Sequence, residues 1–204
     1  MSNLSNELEN LKTKYREIFL KTSEEFQRRL EKIEPKNLQK FLKEDIKKEI
    51  YQKLMKMQQY KALFSCSGCG ACCRLACSEF SHEELLEKAQ NGDNYASQFI
   101  GVFAQYKSED EAKSVYPEYF EFLKEKTHGE KVYFYHCPKV TEDNKCPDYE
   151  NRPAICRNFP DNPIGFLPKN CGFSRWKEEV EPTALMLHSL IEIADFYKKK
   201  LEEV

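Results

Sequence analysis

The stretch Cys66-Ser67-Gly68-Cys69-Gly70-Ala71-Cys72-Cys73-Arg74-Leu75-Ala76-Cys77 holds five of the nine cysteines of this chain. The other four all lie downstream, at Cys137, Cys146, Cys156 and Cys171, and no cysteine precedes the stretch. The residues before this stretch are therefore expected to have a structural role and no thiol chemistry. The fold is predicted to be organised around this stretch and the segments that bring the later thiols to it.

The first three cysteines have a spacing that is typical of metal ligation. Cys66, Cys69 and Cys72 form a C-x2-C-x2-C run, which matches the opening of the bacterial iron–sulfur motif. In that motif three thiolates come from one tight loop and a fourth arrives from elsewhere. Gly68 and Gly70 suit such a loop, because glycine lets the backbone fold closely around sulfur. Zinc stays an alternative, since C-x2-C pairs are also its common signature.

The adjacent pair Cys72 and Cys73 limits how the thiols can be shared. The side chains of adjacent residues point in different directions. Cys72 and Cys73 therefore either serve different sites, or one of them is not a ligand. Eight cysteines are the candidate ligands, which suffices for two four-thiolate sites and leaves Cys77 over. Two sites, one site with spare cysteines, and no metal all stay open. The candidate ligands are Cys66, Cys69, Cys72, Cys73, Cys137, Cys146, Cys156 and Cys171.

Four arginines, Arg74, Arg152, Arg157 and Arg175, each lie within a few residues of a cysteine. A four-thiolate site is strongly negative, and a guanidinium can offset that charge or donate to sulfur. Solvation at the protein surface is the alternative interpretation for each of them. Together they favour a shared role beside the thiols.

Composition indicates an ordinary globular chain of 204 residues, with 32% charged and 40% hydrophobic residues. No apolar run approaches the length that a bilayer span needs, and the first residues lack a secretory signal, so a cytoplasmic location is expected. Thiols in that reducing compartment indicate metal binding or catalysis rather than disulfides. The net charge of −2 gives no support for nucleic-acid or membrane binding.

Residues 1–64 predict an N-terminal arm of two amphipathic helices, because apolar residues recur in steps of three and four. Pro35 separates the two helices or kinks a single long one. The arm either packs on its own domain or offers a surface to a protein partner. No partner can be named from the pattern.

Residues 65–176 predict a cysteine-cluster domain with a small β-hairpin. Ser81 and Glu84 form a capping box for a helix that ends near Gln90. Helical patterns follow at 95–106 and 108–126, the second one interrupted or begun by Pro117. Residues 131–135 form the clearest strand. A turn at 141–145 then predicts Cys137 and Cys146 on the two arms of a hairpin.

The end of the chain completes a mainly α fold. Residues 147–172 contain five prolines and little periodicity, so a loop is predicted whose thiols tie it down through a metal. Residues 177–204 form a last segment, with a helix from about Glu181 and Pro182 in its first turn, packed on the cysteine domain. The predicted fold class is mainly α with a small β-hairpin, a loop-rich cysteine-ligated centre and a helical N-terminal arm.

Five segments in order, residues 66–74, 136–138, 145–150, 152–160 and 171–176, resemble the CxxCxxCC cysteine-cluster family. That family is described as a zinc- or iron-chelating domain and includes the flagellin lysine N-methylase. The resemblance spans about residues 65–176 and implies metal binding through the shared cysteines. Cys77 is not part of the pattern.

Three functional hypotheses follow. The first is a metal-binding protein that holds one or two cysteine-ligated iron–sulfur clusters, with 4Fe–4S favoured and zinc as the alternative, in redox chemistry, sensing or metal handling. The second, implied by the resemblance, is a protein-modifying methyltransferase, although the chain has no glycine-rich nucleotide motif. The third is a structural zinc scaffold with a partner-binding helical arm. Whether the protein is an enzyme stays open.

Overall fold

A computed structural model describes residues 3–127, 131–164, 167 and 170–203, with side chains given from residue 9 onward except that of residue 126. The chain separates into two compact units. One, the cysteine unit, consists mainly of residues 66–162 together with Cys171, and the other, the helical unit, consists mainly of residues 9–65 and 172–203. The predicted domain boundaries at 65 and 177 stay a prediction.

The predicted class, mainly α with a small β-hairpin, is confirmed, and the β structure is a small three-stranded antiparallel sheet. In chain order the helices and strands are α1 (Asn3–Leu30), α2 (Leu38–Lys40), α3 (Ile46–Lys61), α4 (Ala71–Arg74), β1 (Ala76–Ser78), α5 (His82–Gln90), α6 (Asn94–Ile100), β2 (Ala104–Gln105), α7 (Glu109–Val115), α8 (Pro117–Lys126), β3 (Tyr133–His136), α9 (Ala154–Asn158) and α10 (Ser174–Glu202). None of the described helices combines the length and apolar character that crossing a membrane requires.

The helical unit confirms the two predicted N-terminal helices. Helix α1 ends at Leu30, and a 3-10 turn at Pro35–Asn37 starts the second helix, which has a π-helical segment at Phe41–Asp45 between α2 and α3. The apolar stripes of these helices meet α10 in one core. Its buried members are Phe26, Phe41, Leu42, Ile46, Leu190, Ile193 and Ala194.

Helix α10 begins at Ser174, upstream of the predicted start at Glu181, and Pro182 therefore lies inside the helix. A proline there removes one helical hydrogen bond and costs about 3 kcal/mol in an isolated helix. Burial upstream of the proline outweighs this cost. Trp176 is fully buried and its Nε1 donates to the Met57 carbonyl at 3.3 Å, and Val180 is also buried. Because Pro182 was assigned to the first turn of the helix, the sequence pattern did not predict the extension of α10 to Ser174.

The cysteine unit contains one antiparallel sheet with the order β1-β3-β2. Strand β3 pairs Tyr135 with Ala76 of β1 and His136 with Ala104 of β2. The predicted hairpin between Cys137 and Cys146 is wrong, because both partners of β3 come from earlier in the chain. The fully described segment 137–146 contains no strand, and prolines directly follow both cysteines, where they remove ladder donors.

Two clusters of buried side chains cover the sheet. One gathers Leu75, Ala112, Phe120, Val132 and Phe134, and the other gathers Leu85, Ala96, Phe99 and Tyr135. Helices α5 to α8 supply most of these contacts. They anchor β1 and β3, the strands that carry the chain away from Cys73 and towards Cys137.

The local helix signals in this unit were largely predictive. The capping box is confirmed, since Ser81 Oγ accepts from the Glu84 amide at 3.2 Å and Glu84 Oε2 accepts from the Ser81 amide at 2.7 Å. Pro117 begins α8, as one of the predicted alternatives had it. The predicted helix 95–106 is wrong beyond Ile100, because residues 104–105 instead pair with β3.

Replacing Phe26 by alanine tests the core of the helical unit. Phe26 is 1% exposed, and truncating a buried phenylalanine costs about 3 to 5 kcal/mol, so we expect the free energy of unfolding to fall by that amount. Fluorescence of Trp176, the single tryptophan, reports this unit during urea denaturation. Leu20→Ala on the same helix is the control, because Leu20 is 58% exposed and its loss should change stability by about 0.5 kcal/mol or less. Equal effects of the two substitutions would contradict this core.

Candidate metal centre

The eight candidate ligands all lie in the cysteine unit and are all half-buried, whereas Cys77 lies in strand β1 and is exposed. Cys66 and Cys69 precede α4, Cys72 and Cys73 lie within α4, and Cys156 lies within α9. The others lie in segments without helix or strand. None of the nine cysteines, all of which belong to the described residues, forms a disulfide.

The loop that carries the first thiols is shaped by two glycines. Gly68 and Gly70 have φ angles of 68° and 73°, in the left-handed region that disfavours residues with a Cβ atom. The Gly68 amide donates to the Cys66 Sγ at 3.3 Å. The loop thus folds back on its own sulfur, in the way that the glycine spacing predicts.

Gly70 also makes room for the second thiol-bearing segment. A Cβ atom added at Gly70 would lie 2.6 Å from the Cβ atom of Asn144, well inside van der Waals contact. At Gly68 an added Cβ atom would lie 3.7 Å from the Lys145 Nζ. The turn at residues 141–145, which leads directly into Cys146, therefore packs on the loop of the first thiols.

Arg74 holds this turn in place. Its Nε donates to the Asn144 Oδ1 at 2.5 Å, and its Nη2 donates to the carbonyls of Thr141 at 2.8 Å and Glu142 at 3.1 Å. The turn is itself closed by the Thr141 amide, which donates to the Lys145 carbonyl at 3.0 Å. The Arg74 guanidinium thus holds the turn that precedes Cys146 against the end of helix α4.

Three further hydrogen bonds connect thiol-bearing segments. The Cys137 amide donates to the Cys73 carbonyl at 2.6 Å. Ser67 Oγ donates to the Asn170 carbonyl at 2.6 Å, which brings the residue before Cys171 against the first loop. Tyr149 Oη donates to the Cys66 carbonyl at 3.4 Å.

Arg152 is the second arginine beside the thiols. Its guanidinium lies over the ring of Tyr149, 3.8 Å from the ring centroid, and its Nε donates to the Tyr149 carbonyl at 3.0 Å. Its positive charge stabilises a thiolate at Cys73. Arg152 is therefore both stacked and electrostatically coupled to the site.

The thiols of Cys72 and Cys73 share a hydrogen bond that separates their acidities. This bond, with burial and the charges of Cys66 and Cys69, raises the pKa of Cys72. The same bond lowers the pKa of Cys73, helped by Arg152 and Arg74 and opposed by burial. Cys73 is thus the member of the pair that loses its proton first.

The pKa values of two other residues are raised by burial and by the charges of several cysteines. Burial raises the pKa of Cys156 to about 11, and the charges of Cys73, Cys137 and Cys146 add to the rise while Arg152 opposes it. Burial also raises the pKa of Tyr119, with further contributions from Cys77, Cys72 and Cys171.

The donor set fits a metal that prefers sulfur. Thiolates select zinc and iron–sulfur clusters over hard cations such as Mg²⁺. Gly70, which has no Cβ atom, lets Asn144 approach the loop that carries Cys69 and Cys72. Among the described residues, no group of three or more His, Cys, Asp or Glu side chains is already gathered around one point where an ion could sit. Ligation therefore requires the thiols to turn towards a shared centre.

The predicted shared role of the four arginines applies to two of them. Arg74 and Arg152 stabilise the Cys73 thiolate, whereas Arg175 belongs to the helical unit and donates to Glu179 at 2.8 Å. Arg157 is exposed on α9. For these last two no described contact with a thiol supports the prediction.

Sequence reasoning missed Asn144, Tyr149 and Ser67 as residues that position the thiols. The residue type of Asn144 was a usable signal, because asparagine is one of the few residues that tolerate a positive φ. In the structure Asn144 has a φ of 65°. Ser67 and Tyr149 each act through one hydroxyl group, which donates to the carbonyl of a residue far away in the chain. Nothing in the local sequence marks such a partner.

A family comparison matches this part of the chain. A sequence model described as "CxxCxxCC: putative zinc- or iron-chelating domain" matches residues 65–179, more than half of the chain. The chain belongs to the CxxCxxCC family. Neither the curated proteins nor the solved structures compared with it gave a significant match. The family description names metal chelation and no reaction, so the methyltransferase hypothesis stays a prediction.

Gly70→Ala tests the packing between the first loop and the 141–145 turn. The added methyl group would overlap Asn144 in addition to straining a φ of 73°. Gly92→Ala is the matched control, because Gly92 has a φ of 90° with nothing within 4 Å of its added Cβ atom. We expect Gly92→Ala to cost about 1 kcal/mol and Gly70→Ala about 1 to 3 kcal/mol more, measured by urea denaturation of the metal-free protein. A similar loss in both variants would show that the contact with Asn144 is not tight.

Alkylation of the metal-free protein tests the thiol electrostatics. Thiolates react and thiols do not, so Cys73, whose pKa is lowered, should be alkylated before Cys72 and Cys156, whose pKa values are raised. Raising the pH towards 11 should bring Cys156 into reaction. Mass spectrometry of peptides after brief iodoacetamide treatment across pH 6 to 11 measures this order. In urea the difference should vanish, and its persistence there would refute an origin in the fold.

Proposed function

We propose that this protein binds iron–sulfur clusters through its cysteine thiolates, with 4Fe–4S favoured over zinc, and acts in electron transfer, redox sensing or metal handling. The observation that carries the proposal is the loop of Cys66, Cys69 and Cys72, which is wrapped around sulfur by two left-handed glycines and donates an amide to the Cys66 Sγ. Amide donors to sulfur are among the features that tune iron–sulfur clusters.

The surroundings of the thiols support a charged centre. Several thiolates in a half-buried region repel one another, and desolvation disfavours each of them. Arg74 and Arg152 supply positive charge beside Cys73 without leaving the hydrogen bonds that hold them in place. Fixed donors near the metal ligands orient the ligands and adjust the potential of the metal. Such an arrangement suits a centre whose charge changes in a redox cycle.

Zinc uses the same ligands and is the second candidate. Four thiolates in tetrahedral geometry are typical of structural zinc, and the family description names both metals. The three consecutive x2 spacings of the first loop favour iron–sulfur. A reducing cytoplasm, expected from the sequence, keeps the thiols available for either metal.

A structural zinc scaffold with a partner-binding arm is a less supported function. The apolar stripes of the N-terminal helices pack against α10 within the helical unit, so much of their apolar surface is already buried. A protein partner stays a prediction, and so does an enzymatic activity.

Anaerobic purification followed by metal and sulfide analysis tests the proposal. We expect brown protein with broad visible absorption and with iron and acid-labile sulfide in comparable amounts. Cys69→Ala should lose most of this metal, while Cys77→Ala is the control and should retain it, because Cys77 is exposed on strand β1. Colourless protein with stoichiometric zinc would replace iron–sulfur by zinc. Protein without either metal would overturn the proposal.

A further inference from the structure

The outward side of helix α3 carries exposed apolar side chains with lysines beside them. Tyr51, Leu54 and Met55 are 62%, 45% and 43% exposed, and their spacing of three and four residues places them on one side of the helix. Together with Lys47 and Lys48 they are called the α3 patch. We propose that the α3 patch binds an acidic amphipathic helix of another protein. This interaction goes beyond metal binding and does not depend on which metal the thiols hold.

The opposite side of α3 is already used by the core of the helical unit. Ile46 and Met57 are buried, and Ile50 packs against the same core. The Met57 carbonyl also accepts from the Trp176 Nε1. Packing of α3 within its own unit therefore leaves the three apolar residues of the patch unexplained. Large apolar side chains that are grouped on a surface, rather than scattered over it, mark interaction sites.

The charge of α3 is positive and is not balanced within the helix. The helix contains five lysines and one acidic residue, Glu49. Glu49 Oε2 accepts from the Arg29 Nη2 at 2.8 Å, so its charge is already paired with α1. Lys47 and Lys48 are exposed one turn before the apolar residues. After Glu49 the next acidic residue of the chain is Glu79.

The ends of this positive surface are defined by the neighbouring residues. Lys61, at the end of α3, is buried against two aromatic rings and does not belong to the surface. Glu44 and Asp45 are exposed directly before α3, where they would repel a carboxylate of a partner. The acidic side chains of the partner are therefore expected over the exposed lysines between Lys47 and Lys56.

The side chains of the surface favour a protein helix over a lipid surface. Apolar residues at i, i+3 and i+4 are the spacing with which helices pack on one another. Tyrosine and methionine are enriched in the centres of protein interfaces, whose rims are polar. Gln52, Gln58 and Gln59 are exposed around the apolar residues and can hydrogen-bond across such a rim. Insertion into lipid would bury amides of this kind without partners.

Charge also favours an acidic partner over a second copy of this chain. A symmetric dimer through α3 would add five further lysines and one carboxylate that is already paired. A partner helix that carries Asp and Glu beside its apolar residues would instead be attracted to Lys47 and Lys48 and held in one orientation. The net charge of −2 gives the whole chain no attraction to an anionic membrane.

A fluorescent helical peptide tests the patch on full-length protein purified anaerobically with its metal. The probe has leucines at heptad positions a and d and glutamates at e and g, where like charges prevent its pairing with itself. In the comparison peptide lysines replace the glutamates. At low salt we expect the acidic peptide to bind about tenfold or more tightly than the basic one, and this preference should shrink as salt is added. Equal binding of the two peptides, or no binding, overturns the proposal.

Substitution of the apolar residues locates the binding. Tyr51→Ser/Met55→Ser should weaken binding of the acidic peptide by about tenfold or more, because two apolar contacts are lost. Leu20→Ser/Phe196→Ser is the control and should bind like the unmodified protein, since these residues are comparably exposed on α1 and α10. Circular dichroism and metal content should be unchanged in both variants. Equal affinities of the two variants would contradict binding at α3.

Reversal of the charges tests the electrostatic part separately. Lys47→Glu/Lys48→Glu should lose the acidic peptide and bind the basic one, which also shows that the variant is folded. Lys21→Glu/Lys199→Glu changes the net charge equally at exposed positions of α1 and α10 and should keep the preference for the acidic peptide. A reversed preference in both variants would trace the effect to net charge and overturn the patch.

The other two occupants are tested by sedimentation. Full-length protein is centrifuged over a range of concentrations and, separately, with vesicles of phosphatidylcholine and phosphatidylserine. We expect Tyr51→Ser/Met55→Ser to behave like the unmodified protein in both measurements. Self-association or vesicle binding that this variant abolishes would assign the patch to a second copy or to a membrane, and would overturn the proposal.

Discussion

The close packing of Gly70 against Asn144, fastened by Arg74, is the contact on which the rest of the cysteine unit depends. It joins two segments that are about seventy residues apart in the chain, and an added methyl group at Gly70 would lie 2.6 Å from the Asn144 Cβ atom. On one side of this contact lies the loop of the first thiols, and on the other lies the turn that leads to Cys146. The small sheet supports the same arrangement, because β1 leaves helix α4 while β3 returns to Cys137 beside it.

Electrostatics explains why this contact uses an arginine. Thiolates crowded into a half-buried region are destabilised by desolvation and by their mutual repulsion. Arg74 relieves the repulsion at Cys73 and, with the same guanidinium, satisfies two backbone carbonyls and one side-chain amide of the turn. A planar fork of donors allows this combination, which the single ammonium of a lysine would reproduce poorly. Arg152 has a comparable double role through its stacking on Tyr149.

Local signals were the part of the fold that could be predicted. The capping box at Ser81 and Glu84, the start of α8 at Pro117 and the two N-terminal helices all depend on interactions within a few residues. The errors concern interactions between distant residues. The predicted hairpin at Cys137 and Cys146 is replaced by pairing of β3 with β1 and β2, and α10 extends to Ser174 because burial of Trp176 outweighs the proline at 182.

The amino-acid sequence by itself determined that this is a zinc- or iron-chelating chain, because the number and the spacing of the thiols are typical of thiolate ligation. It also determined the mainly helical class and the glycines of the first loop. Only the tertiary structure decided which thiol-bearing segments pack together, which arginines act on Cys73, and that Asn144, Ser67 and Tyr149 hold these segments in place. The physical reason is that these contacts join segments far apart in the chain, whose proximity follows from packing of the whole unit and from no local pattern.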